Sequence, residues 1–125
     1  MIIELQPHSD KPIYEQLILE IKRGIVMGQL QPGEYLPSVR ALAADIGINM
    51  HTVNKVYKYL QNEQILLKQK NGFIVNTAQK LTPTLEVQDV IKQQIYELML
   101  EKKLYQMSDE DIFTMMKSVE KEFKQ

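Results

Sequence analysis

The chain has 125 residues, enough for one small domain and a short additional segment. Its hydrophobic fraction of 44% and charged fraction of 25% are those of a globular protein and exclude a disordered one. There is no cysteine, which excludes disulfide bonds and thiolate metal sites, and no apolar run approaches the roughly 18 residues that span a bilayer. The segment MIIELQPHSDKP lacks the basic and apolar regions of a signal peptide, so we expect a cytoplasmic protein without a membrane partner.

The net charge of −1 is unevenly distributed along the chain. Residues 38–75 hold five basic and two acidic residues, a net charge of +3. Residues 83–125 hold six lysines against nine acidic residues, a net charge of −3. A basic region beside an acidic one can orient a molecule on a polyanion, so the overall charge does not exclude nucleic acid.

Three amphipathic helices are predicted in the first half of the chain. The first begins at Pro12, placed at the first helical position, and ends at Gly28. Ser38 caps a second helix that ends at Gly47, and Asn49 caps a third directly after it. This short glycine-containing connection between two helices predicts a helix-turn-helix. The core-facing residues of the three helices are Tyr14, Leu17, Ile18, Ile21, Ile25, Val39, Leu42, Ala43, Ile46, Val53, Val56, Tyr57 and Leu60.

A β-hairpin is predicted directly after the third helix, in the segment ILLKQKNGFIV. Asn71-Gly72 between two β-prone runs predicts a type I′ turn with positive φ at both residues. A hairpin in this position is a wing. The predicted fold is therefore mainly α with a small β wing (α+β), a winged helix-turn-helix domain over residues 1–76 followed by a linker over 77–82.

Residues 83–125 are predicted to form a tail of two helices. The first begins at Thr82-Pro83 and the second at Ser108, where the acidic residues that follow resemble a capping box. The two apolar stripes are larger than a two-helix hairpin can bury on itself, which predicts a homodimer. Their residues are Val87, Val90, Ile91, Ile95, Leu98, Met99, Ile112, Met115, Met116, Val119 and Phe123.

A polar stripe runs along the third helix, made by His51, Asn54, Lys55 and Lys58. At about 100° per residue these side chains lie roughly 160° from the apolar stripe. An ordinary solvated helix face would also be polar, but this one has no acidic residue before Glu63 and is followed by a basic wing. Asparagine can pair with adenine in the major groove, and lysines suit phosphates, which favours a recognition helix.

These residues resemble the GntR family of bacterial winged-helix transcription regulators. The likeness covers residues 12–75 and includes P-x-Y-E-Q, G-x-L-x-P-G-x-x-L-P-S-V-R-x-L-A from Gly28 to Ala43, and N-x-x-T-V from Asn49 to Val53. In two places the chain departs from the family pattern. Lys70 replaces the first glycine of the wing, so the wing tip approaches the minor groove differently or holds a phosphate. Gln64 stands where a glycine usually ends the recognition helix.

The resemblance implies a set of DNA-contacting residues in the P-S-x-R motif, at the start of the recognition helix and at the wing tip. Together with the lysines of the polar stripe and the wing, the expected DNA-binding residues are Ser38, Arg40, Asn49, Met50, His51, Thr52, Asn54, Lys55, Lys58, Lys68, Lys70, Asn71 and Gly72. Simpler readings remain for some of them. Arg40 could pair with Asp45, and Lys68 and Lys70 could be edge-strand lysines that discourage aggregation.

The short tail is similar to that of the small YtrA-type subfamily, in which it serves mainly for dimerisation. The expected function is therefore a sequence-specific transcriptional regulator, a repressor that binds a palindromic operator in double-stranded DNA as a homodimer. The alternative is a winged-helix module that binds another protein. No enzyme activity, cofactor or metal site is expected, since the chain lacks the usual glycine and catalytic patterns and has only His8 and His51. Two helices alone cannot enclose a pocket of about 300 Å³, so no effector site is expected within one subunit, whereas a site at a dimer interface stays open. The effector itself, if there is one, is unknown.

Overall fold

The structure is a computed structural model that describes residues 3–123. Its elements in chain order are α1 (Ile13–Val26), α2 (Val39–Ile46), α3 (Met50–Asn62), β1 (Leu66–Gln69), β2 (Gly72–Val75), α4 (Leu85–Leu104) and α5 (Asp109–Lys121). The chain divides into two compact units, with the boundary between Leu81 and Thr82. The fold class expected from the sequence, mainly α with a small β wing, is confirmed.

The helix-turn-helix is formed by α2 and α3. The Ser38 side chain accepts a hydrogen bond from the N–H of Ala41, and Gly47 ends α2 with a left-handed φ of 70°. Asn49 then caps α3 by accepting from the N–H of His51. The predicted start of α1 was displaced by one residue, because Pro12 has an extended ψ of 149° and is the capping residue rather than the first helical one.

The core of the N-terminal unit joins the buried faces of α1, α2 and α3 to the hairpin. The faces predicted from helical spacing are confirmed, with only Tyr14, Ile25, Val39 and Ile46 partly rather than fully buried. Burial of this apolar surface is the main stabilising contribution to the unit. The fully or nearly fully buried residues are Leu17, Ile18, Ile21, Leu30, Leu36, Leu42, Ala43, Val53, Val56, Tyr57, Leu60, Leu66, Phe73 and Val75.

The wing, defined as the β1–β2 hairpin, is antiparallel and pairs Leu66 with Val75 and Gln69 with Gly72. The two turn residues are therefore Lys70 and Asn71, and the predicted type I′ turn at Asn71-Gly72 is wrong. Asn71 does not have a positive φ, and Gly72 has a φ of 141° within β2. The register has a physical cause: it places Leu66 and Val75 together in the core, whereas a turn at Asn71-Gly72 would pair Leu66 with an exposed residue.

The end of α3 departs from the usual preference for glycine. The N–H of Gln64 donates to the carbonyl of Gln61, and the N–H of Ile65 donates to that of Leu60. This pair of bonds is the Schellman arrangement, which requires a left-handed residue after the cap. Gln64 fills that position with a φ of 65°, so α3 ends at Asn62 as if a glycine stood there.

A segment before α1 is fastened to that helix by one buried side chain. The Oε1 of Gln16 accepts from the N–H of Gln6 at 2.7 Å, and its Nε2 donates to the carbonyls of Gln6 and Lys11 at 3.0 and 2.7 Å. Gln16 is the last residue of the P-x-Y-E-Q motif. Its position in that motif is therefore explained by its hydrogen bonds to the preceding backbone.

The second unit consists of α4, α5 and the turn between them. Thr84 caps α4, so this helix begins two residues after the predicted Thr82-Pro83. The predicted capping box at α5 is confirmed: Ser108 and Asp111 bond reciprocally, and the backbone N–H of Ser108 lowers the pKa of the Asp111 carboxyl. A salt bridge of 3.0 Å joins Lys102 to Asp109 at the turn. None of the described residues of α4 or α5 is buried.

Among residues 3–123, no helix combines the length and apolarity needed to cross a membrane.

Candidate nucleic-acid interface

The polar face of α3 is formed by His51, Asn54, Lys55 and Lys58. All four are exposed or only partly buried, whereas the apolar residues on the other side of the helix have at most 1% of their surface exposed. The separation of the two stripes expected from the sequence is thus confirmed as a difference in burial. Such a helix presents a row of donors and cations outward while the core fixes its position.

Two side-chain amides lie near the start of α3. That of Asn49 caps the helix, and that of Asn54 is available for recognition. The Oδ1 of Asn49 accepts from the N–H of His51 at 2.7 Å, which commits that oxygen to capping the helix. Within residues 3–123, the side chain of Asn54 has no hydrogen-bond partner. Its amide can therefore offer both a donor and an acceptor to a base edge. Met50 and Thr52 lie beside these residues in the first turn, and Met50 is 41% exposed.

Arg40 projects from the first turn of α2, just after the capping residue Ser38. Its side chain is exposed, and among the described residues the only salt bridges are Lys22–Glu63 and Lys102–Asp109. The alternative in which Arg40 pairs with Asp45 is therefore not found. A guanidinium without a carboxylate partner presents its full set of donors to an anion such as a phosphate.

The wing carries the basic residues Lys68 and Lys70. The Nζ of Lys68 lies 4.8 Å from the centre of the Phe73 ring, directly across the hairpin, so its aliphatic stem covers the otherwise buried aromatic. Lys70 and Asn71 form the exposed turn itself. Lys70, which replaces the first glycine usual in the wing of this family, thus lies at the tip of the hairpin. This position does not require a backbone with positive φ.

Two aromatic side chains connect α1 with α3 beside the polar face. Tyr14 was predicted only as a core-facing residue, and Tyr59 was not predicted to have a role. Tyr14 and Tyr59 meet edge to face with ring centres 6.2 Å apart, and the Nζ of Lys55 lies 5.4 Å from the Tyr14 ring centre. A cation over a ring face is attracted by the ring's negative quadrupole. Tyr14 therefore restrains the position of one of the expected phosphate-contacting lysines.

The other end of this connection is an ion pair. The Tyr59 hydroxyl donates to Glu63 Oε2 at 3.2 Å, and Lys22 Nζ lies 3.0 Å from Glu63 Oε1. Burial and the neighbouring carboxylate raise the pKa of Tyr59, so its hydroxyl remains a donor at neutral pH. These contacts fix the angle between α1 and the recognition helix.

The hydroxyl of Tyr57 links the recognition helix to the segment before α2. It donates to the carbonyl of Pro37 at 2.8 Å, and its ring packs edge to face on Phe73 at 5.3 Å. Burial raises the pKa of Tyr57 above its ordinary value, which keeps the proton on the oxygen. Tyr57 was predicted only as a core residue. Its position shows that it also couples α3 to the Pro37–Arg40 segment and to the wing.

A cavity of about 750 Å³ lies between the N-terminal segment, residues 30–37 and α2. Its polar lining includes the carboxylates of Glu34 and Asp45, and no basic residue borders it. This acidic lining would repel phosphates, so the cavity is not part of the candidate interface. In the described part of the chain, no group of three His, Cys, Asp or Glu residues could hold a metal ion.

A helix-turn-helix with an outward polar face on its second helix, followed by a basic hairpin, defines a winged-helix DNA-binding protein. Comparison with known sequences supports this class and makes it specific. Residues 13–75 match the family described as bacterial regulatory proteins, gntR family. The chain is also 38% identical over 102 residues to the HTH-type transcriptional repressor YtrA of Bacillus subtilis (strain 168), a match that covers 80% of this chain and 78% of YtrA.

Solved structures with a similar fold include the following two. A transcriptional antiterminator from Listeria monocytogenes EGD-e matches with a TM-score of 0.86 and 25% identity, over 98% of this chain and 92% of that one. The DNA-binding domain of AraR in complex with operator ORX1 matches with a TM-score of 0.51 and 27% identity, over 58% of this chain and 90% of that one.

The chain belongs to the gntR family of bacterial regulatory proteins. It is a DNA-binding transcription regulator, and the resemblance to the small YtrA-type subfamily is confirmed by the match across most of both chains. The proteins that it matches are transcription regulators rather than enzymes.

Proposed function

We propose that the protein is a cytoplasmic repressor that binds a palindromic operator as a homodimer, with residues 1–76 contacting DNA and residues 83–125 joining the two copies. The repressor assignment is supported by the similarity to YtrA, which is described as a transcriptional repressor. A dimer bound over a promoter would exclude RNA polymerase by occupying the same DNA.

The observation that carries the proposal is the exposed polar face of α3 beside two further basic elements. Asn54 has an amide with no partner among the described residues, and Arg40 and Lys70 extend from α2 and the wing tip. We assign base reading to His51 and Asn54, and mainly phosphate contacts to the lysines. Base contacts discriminate between sequences, whereas phosphate contacts contribute affinity to any duplex.

The homodimer is supported by the exposure of the tail. The large apolar residues of α4 and α5 expected at an interface are exposed or only partly buried, including Ile91 at 47%, Ile95 at 52% and Met116 at 53%. Surface of this kind usually marks a site of association. Two recognition helices held about one helical turn of DNA apart would read the two halves of a palindrome.

The test compares one base-reading residue with one phosphate-contacting residue, using the DNA upstream of the protein's own operon and a scrambled duplex. Asn54→Ala should reduce discrimination between the two duplexes by about 1–3 kcal/mol. Lys58→Ala should weaken binding to both duplexes alike and reduce the slope of affinity against salt by about one unit. Equal losses on both duplexes for Asn54→Ala would remove this residue from the base-reading set.

Matched controls lie on the same chain. Asn62→Ala removes the same side chain from the exposed far end of α3, and Lys117→Ala removes a lysine from α5. Neither should change discrimination or the salt slope if DNA contacts are confined to the polar face, α2 and the wing. Binding that stays intact in both Asn54→Ala and an Arg40→Glu variant would contradict the proposed interface as a whole.

A further inference from the structure

The cavity between the N-terminal segment, residues 30–37 and α2 has the size of a small-ligand site. Its volume of about 750 Å³ falls within the range of about 300–1,000 Å³ that such sites span, whereas a close-packed interior has few voids larger than a water molecule. We call it the α2 cavity. It lies entirely in the N-terminal unit, for which no effector site was expected from the sequence.

More than half of the residues that line the α2 cavity are aliphatic, and one side of it is held in place by a buried side chain. The aliphatic lining residues are Ile3, Leu5, Leu30, Leu36, Leu42 and Ile46. The buried Gln16 bonds to both the N–H and the carbonyl of Gln6, at 2.7 and 3.0 Å, which fixes the backbone next to Leu5. The N-terminal side of the cavity is therefore a fixed wall.

Two carboxylates in the lining determine which charge the α2 cavity accepts. Within residues 3–123, the carboxylate of Asp45 has no hydrogen-bond or salt-bridge partner, and that of Glu34 accepts one bond, from the N–H of Gln31 at 3.2 Å. None of the described residues that line the cavity is basic. Tyr35 also borders the cavity and is 52% exposed, and an aromatic ring attracts cations. These groups favour a cation over an anion.

A bare metal ion does not suit this lining, because the aliphatic residues offer it no ligand and the described residues contain no group of three His, Cys, Asp or Glu that could hold one. An ammonium group, in contrast, can donate to both carboxylates, and an apolar body attached to it would cover the aliphatic lining. We propose that the α2 cavity binds a small organic ammonium compound with an apolar body, and that its occupancy is linked to DNA binding.

The link to DNA binding follows from the hydrogen bonds of residues 34–37. The N–H of Leu36 donates to the carbonyl of Phe73 in the wing at 2.9 Å, and the carbonyl of Pro37 accepts from the hydroxyl of Tyr57 in α3 at 2.8 Å. Leu36 and Pro37 line the cavity together with residues of α2. A ligand that contacts them therefore acts on all three elements of the candidate interface, and ligand and DNA change each other's affinity by the same factor.

Ligand binding is tested on the full chain without DNA, so its result does not depend on the proposed function. The probe is phenethylamine, whose amino group is protonated at neutral pH. Its titration should give saturable NMR shifts of the backbone amides of Glu34, Tyr35, Leu36 and Asp45. Phenethyl alcohol has the same apolar body without the charge and should bind at least about tenfold more weakly. Equal binding of the alcohol, or shifts confined to other residues, would overturn the proposal.

Variants that remove charge without changing size test the position of the ammonium group. The double variant Glu34→Gln, Asp45→Asn should raise the dissociation constant for phenethylamine at least about tenfold. Asp10→Asn removes an exposed carboxylate that does not line the cavity and should leave this constant unchanged. Unchanged binding by the double variant would overturn the proposal. If this variant fails to fold, the comparison of amine and alcohol on the wild type decides the matter.

The link to DNA binding is tested with the DNA upstream of the protein's own operon. Saturating phenethylamine should change the wild-type dissociation constant for this DNA about fivefold or more, and should leave that of the double variant unchanged. Methylammonium at the same concentration has the charge without the apolar body and controls for salt screening. No change in the wild type, or an equal change with methylammonium, would overturn the link. A wild-type chain that does not bind this DNA at all would instead contradict the proposed function.

Discussion

Local hydrogen bonds are the residue-scale features that the sequence predicted best. Ser38, Asn49 and Ser108 each cap a helix, and each does so through a bond to a backbone N–H no more than three residues away. Such bonds depend only on residue type and spacing, so a short stretch of sequence contains all the information needed.

Contacts between distant residues could not be predicted in this way. The bond from Tyr57 to Pro37 spans 20 residues, and the approach of Lys55 to Tyr14 spans a larger separation. Both depend on how α1, α2 and α3 pack, and many partners were compatible with the same helical spacing. The polar face of α3 was therefore predictable, while the contacts that hold this face in position were not.

Gln64 provides a residue-scale prediction about stability. A side chain at a φ of 65° crowds the backbone, and glycine does not, so Gln64→Gly should raise the free energy of unfolding by about 0.5–1 kcal/mol. The Gln64 carbonyl still accepts from Asn76 in this variant, because only the side chain is lost. Urea denaturation of the variant and the wild type measures the difference.

The control for this prediction is a glycine at a helical position of the same element. Gln61→Gly is exposed and lies within α3, where glycine costs up to about 1 kcal/mol relative to a good helix former. The two substitutions should therefore change stability in opposite directions. A loss of stability in Gln64→Gly would show that its conformation carries no strain.

At the scale of elements, the sequence predicted which segments form helices and strands but misplaced the turn of the wing. The Asn-Gly pair is a strong local signal for a turn, yet the register is set by partners outside the hairpin. Tyr35 pairs with Ile74, and the carbonyls of Phe73 and Val75 accept from the N–H groups of Leu36 and Gly33. These contacts hold β2 in place, and the burial of Leu66 opposite Val75 then fixes the turn at Lys70 and Asn71.

Gly72 is important for the wing even though it does not lie in the turn, because of its backbone conformation. Its φ of 141° is rarely adopted by other residues, while an added Cβ would meet Tyr35 Cδ1 at an ordinary distance of 3.9 Å. Gly72→Val should therefore strain the backbone and displace the wing tip, lowering operator affinity about tenfold or more, with helix content by circular dichroism unchanged.

The neighbour across the hairpin serves as the control for Gly72→Val. Gln69 pairs with Gly72 and has an exposed side chain in a regular strand, where valine is favoured. Gln69→Val should keep wild-type affinity. Undiminished binding by Gly72→Val would mean that the wing tip does not contact the operator.

The tail shows a second limit of element-scale prediction. Helical spacing predicts the apolar stripe around Ile91 and Ile95, because an amphipathic helix ordinarily has one apolar side. The exposed residues Tyr96, Leu100 and Leu104 repeat every four residues on the other side of α4, which they share with the acidic Asp89. A single apolar stripe therefore does not account for every exposed apolar residue of α4.

At the scale of the whole molecule, the proposed function divides recognition and association between the two units. Among residues 3–123, the buried core lies entirely in the N-terminal unit, which also carries the basic excess, whereas the tail is acidic and none of its described helical residues is buried. A net charge of −3 makes the tail a poor partner for DNA phosphates. Its contribution to DNA binding should therefore come through linking two copies rather than through direct contact.

This division predicts the result of removing the tail. A chain that ends at Thr82 retains every residue of the core, so it should stay folded but become monomeric in light scattering. Its operator affinity should fall at least about 100-fold, because two half-site contacts no longer reinforce each other through effective concentration. Fusing an unrelated two-stranded coiled coil after Thr82 should restore much of this affinity, which a tail that contacts DNA directly would not allow. A truncated chain that still dimerises, or that binds as tightly as the full chain, would show that the two copies are joined through the N-terminal unit.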